Sequence, residues 1–466
     1  MTPIRRPRVS TRVSIVLLAA LCAAGASQAA APAAKNIIFF LGDGMGPTTI
    51  TAARIHKYKE EGLLHFERME RVARIKTYSN NAMITDSAAS MAAYMTGIKN
   101  NSEVVSMRDA KAITTDKDAN GNGTIDRCLP GNGSIVPTFL ELAKASGRSV
   151  GAVTTTEMVH ATPAAALAHS CHRAALYSIA AQLVPGGAGY NRALGDGADV
   201  LMGGGRNYFT PFDKARNPKG RADGRDLMAE IAARGYTVAA NREQMLAAPQ
   251  GRKFIGIYSD VDHLDYERTR RAAQPSLAEM TAKSIALLAP NPKGFFLMVE
   301  GGKIDHALHD TNAMNALGDT VAFDDAVQTA IEQMQLRDPG LKNTLIVVTA
   351  DHDHTMAFNG YPKRGNPMLD VVHTYSSGEP AKDADGKVYT TLVFGTGPQR
   401  PPQRVGVTSA EALAPEYHQE TGIKLSGEAH GGGDVKLFAS GAGAAAFKGT
   451  MENTKVFHLM KAAAGL

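Results

Sequence analysis

Residues 37–47 read Ile-Ile-Phe-Phe-Leu-Gly-Asp-Gly-Met-Gly-Pro, an uninterrupted apolar run that ends in a glycine-rich turn. A continuous apolar run of this length is typical of a β-strand that is covered on both faces. Similar runs recur at 150–154, 200–202, 254–258, 295–299, 345–348 and 391–394, and helical patterns lie between them, notably at 135–146, 277–288 and 320–334. This alternation predicts an α/β fold, a three-layer α/β/α sandwich with a large, mainly parallel central sheet.

The first 29 residues differ in composition from the rest of the chain. A start with four arginines, an apolar run at 13–24 and small residues at 27–29 form the pattern of a secretory signal peptide, with cleavage near Ala29. The pair Arg5-Arg6 leaves twin-arginine export as an alternative to general secretion. We therefore expect one catalytic domain over 30–466, in a periplasmic or secreted protein.

Charge and hydropathy narrow the function classes further. The leader carries four arginines and no acidic residue, so its removal lowers the formal charge from +5 to +1. A charge of this size does not indicate nucleic-acid binding. No apolar run after the leader is long enough to span a bilayer, so no membrane span is expected.

Ligands of parallel α/β sheets bind beyond the carboxyl ends of the strands, so the residues that follow the apolar runs deserve inspection. Asp43 follows the first run in a Gly-Asp-Gly turn and is either a metal ligand or a turn former. Asp305 and His309 are four residues apart, a spacing that puts both on one helix face, as a chelating pair or a surface ion pair. The run Asp-His-Asp-His at 351–354 directly follows another strand and favours a metal site.

A second polar cluster, Thr85-Asp86-Ser87, precedes a run of small and apolar residues that ends at Gly97. This pattern predicts a helix with an N-cap and a glycine C-cap. Ser87 would lie in its first turn, where the helix dipole favours negative charge, so Ser87 is either a capping residue or a nucleophile. Mixed Asp and His ligands point to zinc, and two metal ions beside a serine suit an in-line displacement at phosphorus.

Together these motifs resemble the alkaline phosphatase family, and its animal-type members more than the enterobacterial one. The matching stretches span nearly the whole chain after the leader, at 38–46, 85–97, 155–169, 202–208, 275–309, 349–354 and 430–439. The resemblance implies hydrolysis of small-molecule phosphate monoesters through a phosphoserine at Ser87, with two zinc ions and one magnesium ion as cofactors. Homodimers are common in this family.

The resemblance also implies a role for individual residues. The implied metal ligands are Asp305, His309 and His430 for the first zinc, Asp43, Asp351 and His352 for the second, and Asp43, Thr162 and Glu300 for magnesium. Arg173 matches the phosphate-binding arginine, with Asp86 as its partner. His160 and His306 are expected just behind the magnesium and phosphate sites, and His354 just behind the zinc ligands. The remaining histidines are interpreted as structural or surface residues: His56, His65, His169, His172, His263, His373, His418 and His458.

Two other readings of the motifs stay open. The chain could be a phosphodiesterase or sulfatase of the same superfamily, or a non-catalytic relative that binds metal or phosphate. Thr162, Arg173 and Glu300 together favour a phosphomonoesterase, because related diesterases lack the third metal and the arginine.

A polar insert at about 108–134 carries a further motif. Asp118, Asn120, Asn122 and Asp126 have the spacing of an EF-hand-type calcium loop, although its twelfth position is Leu129 and not glutamate. The alternatives are a Ca²⁺ site and a polar surface turn. The chain after the leader has two cysteines, Cys128 in this insert and Cys171 just before Arg173, which form either one disulfide or two buried thiols.

Overall fold

The structure is a computed structural model that describes residues 33–112, 128 and 130–466. The predicted leader at 1–29 and the predicted calcium-loop residues Asp118, Asn120, Asn122 and Asp126 lie outside the described residues. Among the described residues, no helix combines the length and the apolar composition needed to cross a bilayer.

The strands of the described residues are β1 (Asn36–Gly42), β2 (Arg71–Lys76), β3 (Met107–Arg108), β4 (Ser134–Ile135), β5 (Ser149–Glu157), β6 (Val200–Gly204), β7 (Thr237–Ala239), β8 (Phe254–Ile257), β9 (Phe295–Gly301), β10 (Thr344–Ala350), β11 (Asp353–His354), β12 (Met356–Phe358), β13 (Leu392–Gly397), β14 (Thr421–Lys424), β15 (His430–Gly431), β16 (Val435–Gly441) and β17 (Gly449–Glu452). The α-helices are α1 (Pro47–Tyr58), α2 (Ser87–Thr96), α3 (Phe139–Ala145), α4 (Ala161–Leu167), α5 (Leu176–Gln182), α6 (Leu227–Ala233), α7 (Arg242–Ala247), α8 (Leu277–Leu288), α9 (Lys303–His309), α10 (Ala313–Arg337), α11 (Ser409–Ala412) and α12 (Asn453–Ala464).

Ten of these strands form one sheet in the order β17-β2-β16-β10-β1-β9-β5-β6-β8-β7. The strand β16 is antiparallel to both of its neighbours, and every other pairing in this sheet is parallel. The predicted α/β class with a large, mainly parallel sheet is therefore confirmed.

Helices cover both faces of the sheet, as neighbouring residues of β1 demonstrate. Successive side chains of a strand point to opposite faces. Phe39 packs against Tyr94 of α2, with ring centroids 5.5 Å apart, whereas Phe40 packs against Phe323 of α10, at 5.8 Å. All four rings are fully buried, so β1 lies at the centre of a core that extends to both helix layers.

The predicted bounds of some elements match the structure, and those of others differ. The predicted helix at 277–288 is α8, and a capping box of Ser276 and Glu279 fixes its first turn. The predicted helix at 135–146 begins later, at Phe139, because Thr138 and Glu141 form a capping box there. The apolar run at 391–394 overlaps β13, which belongs to a separate three-stranded sheet with β12 and β14.

The register of the parallel strands brings their carboxyl ends to one edge. Gly42, the last residue of β1, pairs with Gly301 of β9 and with Ala350 of β10. The next residues along the three strands therefore start from neighbouring positions, which is where ligands of such sheets bind.

Candidate active site

Ser87 is the first residue of α2 and is buried, with 2% of its surface exposed. The side chain of Asp86 caps this helix by accepting from the N–H groups of Ala88 and Ala89, and Gly97 ends it in the left-handed conformation with φ 73°. The predicted capped helix is thus confirmed. Its N-terminal end directs a partial positive charge toward the Ser87 hydroxyl.

Two ligand-type residues, Asp43 and His352, contact the Ser87 hydroxyl, and a third, Asp351, is grouped with them. Asp43 follows β1, and Asp351 and His352 follow β10; one ligand atom of each lies within 4.8 Å of the others, and all three side chains are fully buried. Ser87 Oγ lies 3.4 Å from Asp43 Oδ1 and 3.4 Å from His352 Nε2. The Nδ1–H of His352 donates to the main-chain oxygen of Asp353 at 3.3 Å, so the lone pair on Nε2 faces the two carboxylates.

The charge balance of this group fits a cation. Asp43 Oδ2 and Asp351 Oδ2 are buried and have no hydrogen-bond partner among the described residues. Burial and the neighbouring carboxylate of Asp351 raise the pKa of Asp43 well above its ordinary value. Two buried carboxylates of this kind repel each other unless a positive charge lies between them, so the donor set fits a bound metal ion.

Asp305 and His309 from α9 and His430 from β15 converge on a second point. His309 Nε2 lies 3.1 Å from His430 Nε2, and Asp305 Oδ1 lies 3.4 Å from the first nitrogen and 3.6 Å from the second. The Nδ1–H of His309 donates to the main-chain oxygen of Glu428 at 2.6 Å. The Nδ1–H of His430 donates to the main-chain oxygen of Thr85 at 2.8 Å. Both Nε2 atoms therefore present lone pairs to each other and to a carboxylate, a donor set that fits zinc.

His354 is grouped with these residues in space, but both of its ring nitrogens are occupied. Its Nδ1 lies 2.6 Å from Glu428 Oε2, and its Nε2 lies 2.8 Å from Asp305 Oδ1. Burial alone would lower the pKa of His354, but these two hydrogen bonds raise it to about 10. His354 thus links Glu428 to Asp305 as a charged donor.

Asp43, Glu300 and His160 form a third group, whose ligand atoms lie within 4.8 Å of one another. Glu300 Oε2 accepts from the hydroxyls of Thr154 and Thr156, and burial raises the pKa of the Glu300 carboxyl to about 7. Glu300 Oε1 and the hydroxyl of Thr162 are buried without a hydrogen-bond partner among the described residues. Carboxylate and hydroxyl oxygens are the ligands that magnesium prefers, so these residues fit that ion.

Arg173 approaches the site from the segment before α5. Its Nη1 lies 3.4 Å from Asp86 Oδ2, and its Nη2 donates to His160 Nε2 at 3.1 Å. The sequence predicted Asp86 as the partner of Arg173. Asp86 therefore contacts both the first turn of α2 and the guanidinium group.

His160 also belongs to a cluster of three rings that we call the imidazole wall, formed by His160, His263 and His306. The ring centroids of His263 and His306 lie 4.0 Å apart, and that of His160 lies 5.6 Å from each. Burial lowers the pKa of all three, to about 4 for His263 and about 3 for His306. The interpretation of His263 as a structural or surface residue missed this position beside the site.

Glu157, Asp262 and His263 bring three further ligand-type atoms within 4.8 Å of one another. The backbone N–H of Glu157 donates to His263 Nδ1 at 3.2 Å, which leaves the proton of this neutral ring on Nε2. Nε2 is also the nitrogen that faces Asp262 Oδ1, at 3.8 Å. In this tautomer neither ring nitrogen of His263 presents a lone pair to the two carboxylates, so the three side chains form a polar network.

Glu428 is the other residue that the sequence motifs did not assign. Its carboxylate is fully buried and accepts from the Thr355 N–H at 2.7 Å as well as from His354. Its position two residues before His430 was the available signal. Cys128 and Cys171 are joined in a disulfide, with their Cα atoms 5.6 Å apart, so the polar insert is tied to the chain two residues before Arg173.

Comparison with known proteins agrees with this geometry. The sequence profile of the family described as alkaline phosphatase matches residues 34–466. The tissue-nonspecific alkaline phosphatase of Gallus gallus is 37% identical over 463 residues, which cover 92% of this chain and 84% of the relative. The same isozyme of Homo sapiens is 35% identical over 470 residues, with 92% and 84% coverage. The crystal structure of Thermus thermophilus alkaline phosphatase matches with a TM-score of 0.67 at 26% identity and covers 96% of each chain. The chain therefore belongs to the alkaline phosphatase family of enzymes.

Proposed function

We propose that this chain hydrolyses phosphate monoesters to an alcohol and inorganic phosphate, with Ser87 as the nucleophile and a phosphoserine as the covalent intermediate. The observation that carries the proposal is the position of Ser87 Oγ, which is buried at the start of α2, 3.4 Å from both His352 Nε2 and Asp43 Oδ1. A serine hydroxyl needs activation to act as a nucleophile, and a helix N-terminus beside a cation site supplies it.

The donor sets support two zinc positions and one magnesium position. The proposed ligands are Asp305, His309 and His430 for the first zinc, Asp43, Asp351 and His352 for the second, and Asp43, Thr162 and Glu300 for magnesium. When bound, the ions lower the pKa of the serine hydroxyl and stabilise the leaving oxygen.

The reaction then proceeds in two displacements at phosphorus. Ser87 Oγ gives up its proton to water and attacks the phosphorus atom, the bond to the alcohol oxygen breaks, and the alcohol leaves after taking up a proton from water. A water molecule next attacks the phosphoserine, and the bond between Ser87 Oγ and phosphorus breaks. Inorganic phosphate leaves, and a proton returns to the Ser87 hydroxyl.

Arg173 is proposed to bind the phosphoryl group during both steps. A planar guanidinium donates to two phosphate oxygens at once, and Asp86 fixes its orientation through the contact at 3.4 Å. A monoester offers three non-bridging oxygens and up to two negative charges, whereas a diester offers two oxygens and one charge. The positive charge of Arg173 therefore favours the dianionic monoester over the phosphodiester alternative.

Covalent labelling tests the nucleophile. Ser87→Ala should lower kcat/KM for p-nitrophenyl phosphate by at least about a thousandfold, because the proposed nucleophile is gone. It should also abolish trapping of labelled phosphate on the protein. Ser90→Ala is the matched control, because Ser90 lies in the same helix and its hydroxyl donates to the main-chain oxygen of Asp351 at 2.8 Å. Phosphate trapped on the Ser87→Ala variant would contradict the proposal.

A substrate comparison tests the reaction class. The wild-type enzyme should hydrolyse p-nitrophenyl phosphate far faster than bis-p-nitrophenyl phosphate or p-nitrophenyl sulfate. A higher rate on the diester or the sulfate would assign the chain to another branch of the superfamily. No hydrolysis of any of the three, by enzyme loaded with zinc and magnesium, would favour a binding protein.

We also propose that residues 1–29 are removed on export to the periplasm or the medium. The disulfide of Cys128 and Cys171 supports this, because disulfides persist in oxidising compartments. N-terminal sequencing of the exported protein should begin near residue 30. A protein that retains Met1 would contradict this proposal. Light scattering of the same sample measures whether the protein is a homodimer, as is common in the family.

A further inference from the structure

The imidazole wall is held together differently from the zinc ligands. His306 Nε2 and His160 Nδ1 are buried and have no hydrogen-bond partner among the described residues. The ring of His306 is therefore oriented by the rings that pack against it, and the nearest is His263, at 4.0 Å between centroids.

Within the described residues, His263 is the one ring of the wall with a hydrogen bond to the backbone. It follows β8 at the carboxyl edge of the sheet, and its Nδ1 accepts from the N–H of Glu157, the last residue of β5, at 3.2 Å. The side chain of His263 is 16% exposed, and its ring packs on His306 and, edge to face, on His160. A ring anchored to the sheet thus supports two rings that belong to the site.

The contacts continue from the wall to the phosphate-binding side of the site. His160 Nε2 accepts from Arg173 Nη2 at 3.1 Å, and Arg173 Nη1 lies 3.4 Å from Asp86, which caps the helix of Ser87. Any shift of the wall is therefore passed to the guanidinium group. The charged groups near the wall are Arg173, Lys303 and Asp305, in addition to Asp262 at the exposed side.

We propose that His263 is a positioning residue of this enzyme: its ring holds His306 and His160 in place and thereby sets the position of Arg173 for phosphate. The inference rests on the proposed phosphomonoesterase activity and deepens it. It predicts that loss of the ring weakens phosphate binding and leaves the cations and the nucleophile unaffected.

Two variants separate the ring from its hydrogen bond. His263→Phe keeps an aromatic ring and loses the acceptor for the Glu157 N–H, whereas His263→Asn keeps an acceptor at the position of Nδ1 and loses the ring. His263→Ala removes both. His56→Ala is the control, because His56 is an exposed histidine in the last turn of α1.

The measurements are KM and kcat for p-nitrophenyl phosphate, the inhibition constant of inorganic phosphate, and the metal content of each holoenzyme. His263→Ala and His263→Asn should each raise KM and the inhibition constant about tenfold, with kcat changed by less than about threefold. His263→Phe should bring both constants back to within about threefold of the wild type. His56→Ala should behave as the wild type.

Several results would overturn the inference. One is an inhibition constant in His263→Ala and His263→Asn that equals that of the wild type. Another is rescue by asparagine and not by phenylalanine, which would assign the role to the hydrogen bond. Loss of metal from His263→Asn would assign the residue to the cation sites. If His263→Ala does not fold, the phenylalanine and asparagine variants decide alone. A wild-type enzyme that does not hydrolyse monoesters would contradict the proposed function instead.

Discussion

The site contains two groups of histidines that are oriented by different forces. In His309, His352 and His430, each Nδ1–H donates to a main-chain oxygen, and each Nε2 faces other ligand atoms. In the imidazole wall, the rings pack on one another, and two buried nitrogens have no partner within the described part of the chain. Hydrogen bonds to main-chain oxygens orient every ring of the first group, whereas in the wall only His263 has a main-chain anchor, and His306 is oriented by packing.

The two groups of histidines should respond differently when one of their rings is removed. A ring that is fixed by its own hydrogen bond keeps its orientation when a neighbour is removed, whereas a ring that is fixed by packing does not. We therefore expect changes among the first three histidines to act on metal binding. Changes in the wall should act on phosphate binding and spread from one ring to the next.

The sharpest contrast is between His430→Ala and His306→Ala. His430→Ala removes a proposed ligand of the first zinc, so kcat/KM should fall by about a thousandfold or more, together with about one metal ion per chain. His306→Ala should keep the full metal content and mainly raise KM. Elemental analysis and steady-state kinetics measure both. Equal metal loss in the two variants would contradict the division into two groups.

Removal of the disulfide tests whether the position of Arg173 depends on the link between Cys128 and Cys171. Cys128 and Cys171 are 43 residues apart, and a cross-link of that span stabilises a fold by about 3–4 kcal/mol in the chain-entropy description. The Cys128→Ser/Cys171→Ser double variant should lose about that much unfolding free energy, measured by denaturant titration. Because Arg173 lies two residues from Cys171, the inhibition constant of phosphate should also rise by about two- to fivefold. An unchanged inhibition constant would mean that the disulfide stabilises the fold but does not position Arg173.

The parts of this site that the sequence predicts are those that follow from local rules. Asp86, Ser87 and Gly97 have the residue types that begin and end a helix, and α2 has those bounds. Asp43 and Asp351 directly follow continuous apolar runs, and parallel strands bring such positions to one edge. Neither prediction requires knowledge of distant contacts.

The parts that the sequence did not predict depend on contacts between distant segments. The carboxylate of Glu428 has a clear partner in His354, but the two residues are 74 positions apart. His263 lies in a polar segment after β8 and becomes part of the site because His306 packs on it. The run at 391–394 has the composition of a core strand, and only tertiary contacts assign β13 to the smaller sheet.

Glu428→Gln tests the hydrogen-bonded group without removing a ligand. The glutamine can still accept from the Thr355 N–H, but it lacks the negative charge that balances the positive charge of His354. His354 and, through it, Asp305 should therefore be held less firmly in their orientations. Loss of such a supporting carboxylate lowers metal affinity by about 10- to 100-fold. Competition with a zinc chelator measures it, and Glu416→Gln is the control because the Glu416 side chain is 81% exposed. If the chelator concentration at half-removal of zinc is the same in the variant and the wild type, Glu428 does not support the metal ligands.

The smallest expected effect concerns Glu157, whose N–H anchors the wall. Burial raises the pKa of its carboxyl to about 7 from an ordinary value of 4.5, so its charge costs stability in the folded state. The wild type should therefore lose stability from this group as pH rises from about 4.5 to about 7, with no further change above that range. Glu157→Gln cannot ionise and should escape this loss.

The measurable quantity is the difference in unfolding free energy between Glu157→Gln and the wild type, which should grow in favour of the variant by about 1–2 kcal/mol between pH 5.5 and pH 8. Effects of pH on metal binding occur in both proteins and largely cancel in this difference. Glu416→Gln, whose carboxyl is exposed, should show no such trend. A difference that does not vary with pH would mean that the carboxyl of Glu157 does not lie in a buried environment. The carboxyl of Asp305 gives the opposite case, because although burial alone would raise its pKa, the imidazoles of His309, His354 and His430 hold it well below its ordinary value. Asp305, beside His309 and His430, thus stays charged, whereas the carboxyl of Glu157 behind the wall is more stable when neutral.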